Sequence, residues 1–427
     1  MKRMKNFIKP LIISIFLSLA LFGCKQETSL SRYLDQMPEV ADSRQVIEID
    51  FKQALDHSKP GENSFTQRVI INHVGYDRPT VVNTEGYGLY SKKRGELARL
   101  LNANQITIEH RFFKESKPED LNWKYLTTWQ AATDHHKVIQ AFKKIYKGKW
   151  ISTGISKGGQ ATIFHRYFYP EDVDVSVPYV APLNFSNEDK RVYEFLDTVG
   201  SEFCREKIFA YQKLLFEKKE AILPLFEEMA KKKDYQFNMG IERAYDLSVL
   251  EYPFAFWQWK SSDCYEIPGS DATIKELFSH MEKISDGSFF EKDIIENNRP
   301  FFYQAMTEIG MYGYEIKPFK KYLEDTCNVK FGFTMPEGVK VEFNPQLMQN
   351  INEWLQKEGD YMLYIYGEDD PWSATSVVPS KSTNAVKMVN PGGSHRTRIK
   401  SFPVEMKDSI YDVLENWLDL KIQQDNS

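Results

Sequence analysis

A run of β-branched and aromatic residues from Trp150 to Gly154 passes straight into Gly154-Ile155-Ser156-Lys157-Gly158-Gly159, and a helical pattern follows to Tyr169. No other feature of the chain constrains its fold as strongly. A serine at so sharp a strand-to-helix turn sits in strained backbone, and small residues at 154, 158 and 159 let neighbouring chain pass close. The segment reads as a nucleophile elbow, with Ser156 at the carboxyl end of a sheet strand and the amide of Lys157 turned toward the same site.

The surrounding sequence supplies the sheet. Candidate strands at Val46 to Phe51, Gln67 to His73, Thr80 to Thr84, Gln105 to His110, Trp150 to Gly154 and Val173 to Val180 alternate with helices near Lys92 to Asn102, Thr128 to Tyr146 and Gly158 to Tyr169. This is the grammar of parallel strands joined by crossover helices. The first two strands are separated only by the polar turn Ser58 to Ser64, so an antiparallel pair is equally open there. From Asn184 to Asn344 the β-signal gives way to amphipathic helical stretches such as Arg205 to Lys232, and strand patterns resume at Tyr361 to Gly367 and Ala385 to Val389 before a closing helix, Val404 to Leu420. The expected organisation is an α/β core of residues 43–183 and 345–427, interrupted by a helical cap at 184–344 seated over the carboxyl edge of the sheet.

A serine hydroxyl needs a base and an orienting carboxylate, which in this architecture follow in the order serine, acid, histidine. Strand 361–366 leads into Gly367-Glu368-Asp369-Asp370-Pro371-Trp372, and strand 385–389 leads into Gly392-Gly393-Ser394-His395. His395 is the expected base. Asp369 and Asp370 both qualify as the acid; Asp370 is preferred for its Gly-x-x-Asp spacing and the proline that fixes the turn after it. An oxyanion site needs two converging amides, one from Lys157 and one from Thr84-Glu85-Gly86-Tyr87-Gly88, where Gly86 or Tyr87 would donate. Glu85 beside that loop would hinder catalysis unless it binds a cation, such as a substrate's α-amino group, or is paired within the protein.

At the other end, Lys2, Arg3 and Lys5 precede an apolar run from Leu11 to Phe22 that is too short for a good membrane span, and it ends in Leu21-Phe22-Gly23-Cys24. Residues 1–24 therefore read as a signal peptide with a lipobox-like end, Cys24 as the lipidation site, and polar residues 25–42 as a tether. Without residues 1–24 the chain carries 51 basic against 60 acidic residues, so nothing favours nucleic acid. No CxxC, HExxH or clustered metal-ligand spacing occurs, and no metal or cofactor is expected. Cys204, Cys264 and Cys327 remain, an odd number with no connectivity in the spacing.

With these residues placed, the chain resembles the α/β-hydrolase serine exopeptidases that include lysosomal Pro-Xaa carboxypeptidase and dipeptidyl peptidase II, and more closely the bacterial prolyl tri/tetrapeptidyl aminopeptidases. Gln53-Ala54-Leu55-Asp56-His57 with Phe65-Thr66-Gln67-Arg68, Thr84-Glu85-Gly86, Glu109-His110-Arg111-Phe112-Phe113, Tyr125-Leu126 with Gln130-Ala131 and Asp134, the elbow, Gly367 to Trp372 and His395 occur in the family's order over nearly the whole mature chain. In the cap, Tyr303-Gln304-Ala305-Met306-Thr307-Glu308-Ile309-Gly310 resembles a lysosomal-enzyme segment that has cysteine where this chain has Met306, so the disulfide to the position of Cys327 is lost. Lys157 replaces a tyrosine of the lysosomal enzymes.

The resemblance implies cleavage after proline near a peptide end, inside a pocket closed by the cap. Aromatic residues suit the flat pyrrolidine ring, and Tyr252 to Trp259 offers Trp257 and Trp259, although the same run would serve as a cap core. Glu85, Glu109 and Glu308 lean toward capture of a substrate amine, hence an aminopeptidase acting on peptides with proline near the N-terminus, anchored by lipid in a bacterial cell envelope. A carboxypeptidase or dipeptidyl peptidase on the same scaffold, a lipase or esterase, and a catalytically silent peptide- or glycan-binding lipoprotein are the competing readings.

Overall fold

The computed structural model describes residues 36–37, 44–323 and 331–422; Cys24 and Cys327 lie outside them. Eight strands form one sheet in the order β1-β2-β4-β3-β5-β6-β7-β8: β1 Gln45–Ala54, β2 Ser64–His73, β3 Thr80–Thr84, β4 Asn104–Ile108, β5 Trp150–Ile155, β6 Val175–Tyr179, β7 Leu363–Gly367 and β8 Val386–Asn390. β1 and β2 are antiparallel through a full ten-residue register, from Gln45 opposite His73 to Ala54 opposite Ser64. The short turn between them allows nothing else, because a parallel pair needs a crossover of a dozen or more residues. β2 meets β4 antiparallel, and β3 to β8 are all parallel.

Helices cover both faces, as burial of a parallel sheet requires. The side chains of β7 alternate: Leu363 and Ile365 pack with Leu97 and Ala98 of α1 (Glu96–Leu100) and with Ile410, Leu414 and Leu418 of α11 (Val404–Leu418), whereas Tyr364 and Tyr366 face the other side. That second side holds α2 (Thr128–Phe142), α3 (Lys157–Phe168) and α10 (Gln346–Lys357). Between β6 and β7 the chain runs through α4 (Arg191–Leu196), α5 (Glu202–Glu217), α6 (Lys219–Lys232), α7 (Ile241–Trp259), α8 (Ile274–Ile284) and α9 (Lys292–Gln304), with no strand among the described residues. The stretch expected as one long amphipathic unit from Arg205 to Lys232 is two helices, broken at Lys218. Cys204 on α5 is bonded to Cys264, which ties the start of that helix to the chain after α7. The strand order with β1 and β2 antiparallel, the helices on both faces and the elbow at the end of β5 make this an α/β-hydrolase fold.

Much of the motif resemblance is spent on holding the sheet edge. Arg111 is fully buried and donates twice to Asp134, Nε to Oδ2 at 2.6 Å and Nη2 to Oδ1 at 2.7 Å, and also to the Leu55 and Tyr125 carbonyls. His57 Nε2 meets the same Asp134 Oδ1 at 2.7 Å. Gln53 donates to Gln67, which donates to the Glu109 carbonyl. A buried guanidinium is stable only with its charge paired and its donors satisfied, and here the loops after β1 and β4 and the helix α2 supply the partners. No helix among the described residues is long and apolar enough to cross a membrane.

Candidate active site

Ser156 caps the N-terminus of α3 with φ 57° and ψ −123°, a left-handed conformation that a non-glycine residue holds only under constraint. The constraint is backbone packed on backbone. A Cβ on Gly154 would run into the Gly158 carbonyl, and one on Gly86 would fall 2.5 Å from Gly158 N and from the Lys157 carbonyl carbon. The elbow and the loop after β3 therefore press together with no room for a side chain, which fixes the Lys157 amide relative to the amides of that loop.

Asp370 and His395 reach the same region from the ends of β7 and β8. The Glu368 amide donates to the Asn390 carbonyl, the Asp369 amide to the Gly393 carbonyl and the Gly392 amide to the Glu368 carboxylate. These cross-links bring His395 Nδ1 to 2.7 Å from Asp370 Oδ2. Asp370 is completely buried and its other oxygen accepts the Trp372 amide at 3.1 Å, while the His395 amide donates to the Gln258 carbonyl of α7. With Nδ1 engaged by the carboxylate, Nε2 is the ring nitrogen left for Ser156, and both residues line one cavity. Asp369 points elsewhere, to Lys260 Nζ at 2.8 Å. Of the two acids left open by sequence, only Asp370 meets the histidine.

The cavity measures 540 Å³, within the roughly 300–1,000 Å³ usual for ligand sites. Its walls are rich in aromatic residues, including Phe254, Trp259, Phe289, Phe301, Tyr312 and Trp372. Ser248, Glu251, Ala255, Gln258 and Trp259 line it from one side of α7. Residues two apart on a helix point about 200° from one another, so Trp259 faces the cavity while Trp257 packs against Gly200 and lines a separate 390 Å³ pocket between α5 and α7. Trp257 is thus corrected from the substrate site to the cap.

Two further expectations are corrected. Glu109 accepts from the Leu89 amide at 2.7 Å and from the amide and hydroxyl of Ser116, so it clamps the segment after β3 from below. Glu308, carried on a π-helical turn after α9, accepts from the amide and hydroxyl of Thr128 at 2.7 Å and serves the start of α2. Neither is among the residues that line the cavity: both oxygens of Glu109 are held by Leu89 and Ser116, and Oε2 of Glu308 takes both bonds from Thr128. Glu85 does line it, bonded to Asn83 at 2.8 Å, and burial pushes its carboxyl up to about 7.

A carboxylate that sequence reasoning missed faces the same space. Glu251 is buried on α7 and accepts from Tyr312 Oη at 2.9 and 3.0 Å and from Tyr314 Oη at 2.7 Å. Desolvation raises its carboxyl to about 7 against the lowering effect of both tyrosines. Among the described residues no basic side chain is bonded to it. Asp286 also lines the wall but is paired with Lys233 at 3.0 Å. A signal was present in the sequence, since Glu251 is a single acid in the otherwise apolar run Val249 to Trp257.

The oxyanion side is equally specific. Burial lifts the Tyr87 hydroxyl, which lies beside Ser156 in the cavity wall, to about 12. Among the described residues neither the Tyr87 amide nor the Lys157 amide has a hydrogen-bond partner within the protein. No group of residues with metal-binding composition occurs among the described residues.

A family model described as PS-10 peptidase S37 matches residues 35–421. Over 357 residues the chain is 32% identical to the prolyl tri/tetrapeptidyl aminopeptidase of Streptomyces mobaraensis, covering 82% of this chain and 75% of that protein. Similar solved structures include a proline iminopeptidase of Mycobacterium smegmatis, with a TM-score of 0.41, 13% identity and coverage of 87% of this chain and 99% of that one. Another is the peroxisomal α/β-hydrolase Lpx1 of Saccharomyces cerevisiae, with a TM-score of 0.40, 11% identity and coverage of 90% and 92%.

Proposed function

The chain belongs to the PS-10 peptidase S37 family and is a serine peptidase, and from that premise we propose that it releases short peptides ending in proline from free peptide N-termini. Ser156 attacks the carbonyl carbon of the proline residue, and His395 takes the hydroxyl proton on Nε2. Asp370 holds the Nδ1 proton and so fixes the tautomer. The Tyr87 and Lys157 amides receive the developing oxyanion, each such donor being worth roughly 3 to 4 kcal/mol in the transition state. The downstream amine leaves with the proton from His395, and water then hydrolyses the acyl-serine by the same route.

The observation that carries the choice of an aminopeptidase is Glu251. The N-terminal amine of a tri- or tetrapeptide stands two or three residues from the cleaved bond, roughly 7 to 10 Å of extended chain. It would therefore be read by the cap rather than by the oxyanion loop, where Glu85 sits. A protonated amine bound to Glu251 gives a charge-assisted hydrogen bond and relieves a desolvated carboxylate, so removing the amine loses both. Of the arginines of the cavity, Arg398 is tied through Nη1 to the His395 and Thr397 carbonyls, and Arg396 is exposed against Trp259, whereas Glu251 is buried. The name of the Streptomyces mobaraensis relative supports the same reading.

N-acetylation of a peptide with proline as its second, third or fourth residue is expected to slow cleavage at least about tenfold, or 1.4 kcal/mol in the barrier, while C-terminal amidation matters little. Glu251→Gln should remove most of the difference between free and acetylated peptide. The preference is also pH-dependent, with a sign set by two groups. It rises from pH 5.5 as Glu251 ionises near 7, and declines above about pH 8 as the α-amino group loses its proton. Rates for free and acetylated peptide measured from pH 5.5 to 9 check this; greater damage from amidation than from acetylation would mean a carboxypeptidase.

The same proposal places the enzyme on a membrane through lipid on Cys24. Support comes from the lipobox-like sequence, and the Cys204–Cys264 disulfide is in keeping with an oxidising compartment outside the cytoplasm. Cys24→Ser should move the protein from the membrane fraction to the soluble fraction after a high-salt wash, with unchanged kcat/KM on a soluble peptide. Retention on membranes would refute the anchor.

A further inference from the structure

Lys157 follows the nucleophile in sequence, yet its side chain turns away from the substrate cavity and is buried behind the loop after β3. Its Nζ donates to the Gly86 carbonyl at 2.7 Å and lies 5.5 Å from the ring centre of Phe113 and 5.8 Å from that of Tyr87. No carboxylate pairs with it among the described residues. A lysine so placed costs desolvation energy, and burial holds its ammonium well below the usual range. The amine donates to a carbonyl whether or not it is protonated, so the contact survives either state.

We propose that the Lys157 side chain is a positioning residue of the oxyanion site: by fixing the Gly86 carbonyl on the buried side of the loop, it turns the next amide, that of Tyr87, toward the substrate. The peptide between Gly86 and Tyr87 is trans, so its C=O and N–H point in opposite directions. Whatever holds the carbonyl aims the amide. One residue thus serves both oxyanion donors, its own amide directly and the Tyr87 amide through Gly86. The space behind Lys157 fits this. A 10 Å³ chamber walled by Lys157, His110, His135 and Gln304 has room for about one water. Among the described residues the Gln304 Oε1 and His135 Nδ1 atoms are buried without partners, and a water donating to them can accept a further hydrogen of Nζ.

This inference rests on Ser156 acting as the nucleophile, and the test separates the two. Lys157→Met keeps the backbone amide and most of the side-chain volume and deletes only the donor. Because an oxyanion donor acts in the transition state, kcat should fall about tenfold to a hundredfold with KM within about twofold. Affinity for a peptidyl boronic acid ending in proline should fall in parallel, and affinity for the released product peptide should not change. A variant that merely disturbed packing would weaken product binding as well, and that result, or an unchanged kcat, overturns the proposal. Should Lys157→Met fail to fold, a crystal structure of the wild-type enzyme with the boronic acid decides. An oxygen within about 2.7 to 3.1 Å of both the Tyr87 and Lys157 amide nitrogens, with Nζ still on the Gly86 carbonyl, supports it. A Tyr87 amide turned away refutes it. An inactive Ser156→Ala beside a fully active Lys157→Met would remove the positioning role alone.

Discussion

Ser156→Ala is expected to lower kcat/KM on a proline-containing peptide by at least about 10⁴-fold and to leave thermal unfolding unchanged. Alanine carries the same Cβ through the same turn at φ 57°, so the constraint that shapes the elbow is untouched and only the attacking oxygen is lost. His395→Ala should fall in a similar range, and the double variant should be hardly worse than either single one, since nucleophile and base act as a unit. Turnover of Ser156→Ala within tenfold of wild type would remove Ser156 from the reaction.

The second large effect separates neighbours in sequence. Asp370→Asn should cost about 10⁴-fold in kcat, because an amide facing Nδ1 stabilises the wrong tautomer of His395. Asp369→Asn should cost less than about tenfold, since that carboxylate meets Lys260 at the surface, where an ion pair contributes at most about 1 kcal/mol to stability and nothing to the imidazole. Steady-state kinetics of the two variants at one pH make the comparison, and a reversed ranking would move the orienting acid by one residue.

The line from sequence to site was shortest where the chemistry is local. Ser156, Asp370 and His395 each stand in the segment that follows a strand, and a parallel sheet lines up such ends by construction, so chain order alone pointed to one region for all three. The acid was ambiguous only because adjacent residues in a turn point apart, and the cross-links between Glu368, Asp369 and the loop after β8 decide which one faces inward. What failed to show was side-chain direction on elements whose two sides are both apolar. α7 lines a cavity on each side, so Trp257 and Trp259 look alike in composition and differ only by a helical rotation. Glu109 and Glu308 fail for a related reason. Whether a carboxylate is free depends on nearby amides and hydroxyls, and Ser116 and Thr128 become neighbours only in three dimensions. Arg111, Asp134 and His57 likewise form one network from segments far apart in the chain.

The interruption between β6 and β7 bears on the order in which the molecule assembles. Tyr179 pairs with Ile365 only after 185 intervening residues have been placed, and contacts so remote in sequence carry a large loop-closure entropy and form late. The Cys204–Cys264 bond lies wholly inside that span, so once formed it shortens the effective loop. Ser156 stands on the near side of the span, Asp370 and His395 on the far side. A chain emerging from synthesis therefore carries a serine without its base until the strands beyond the span have joined the sheet.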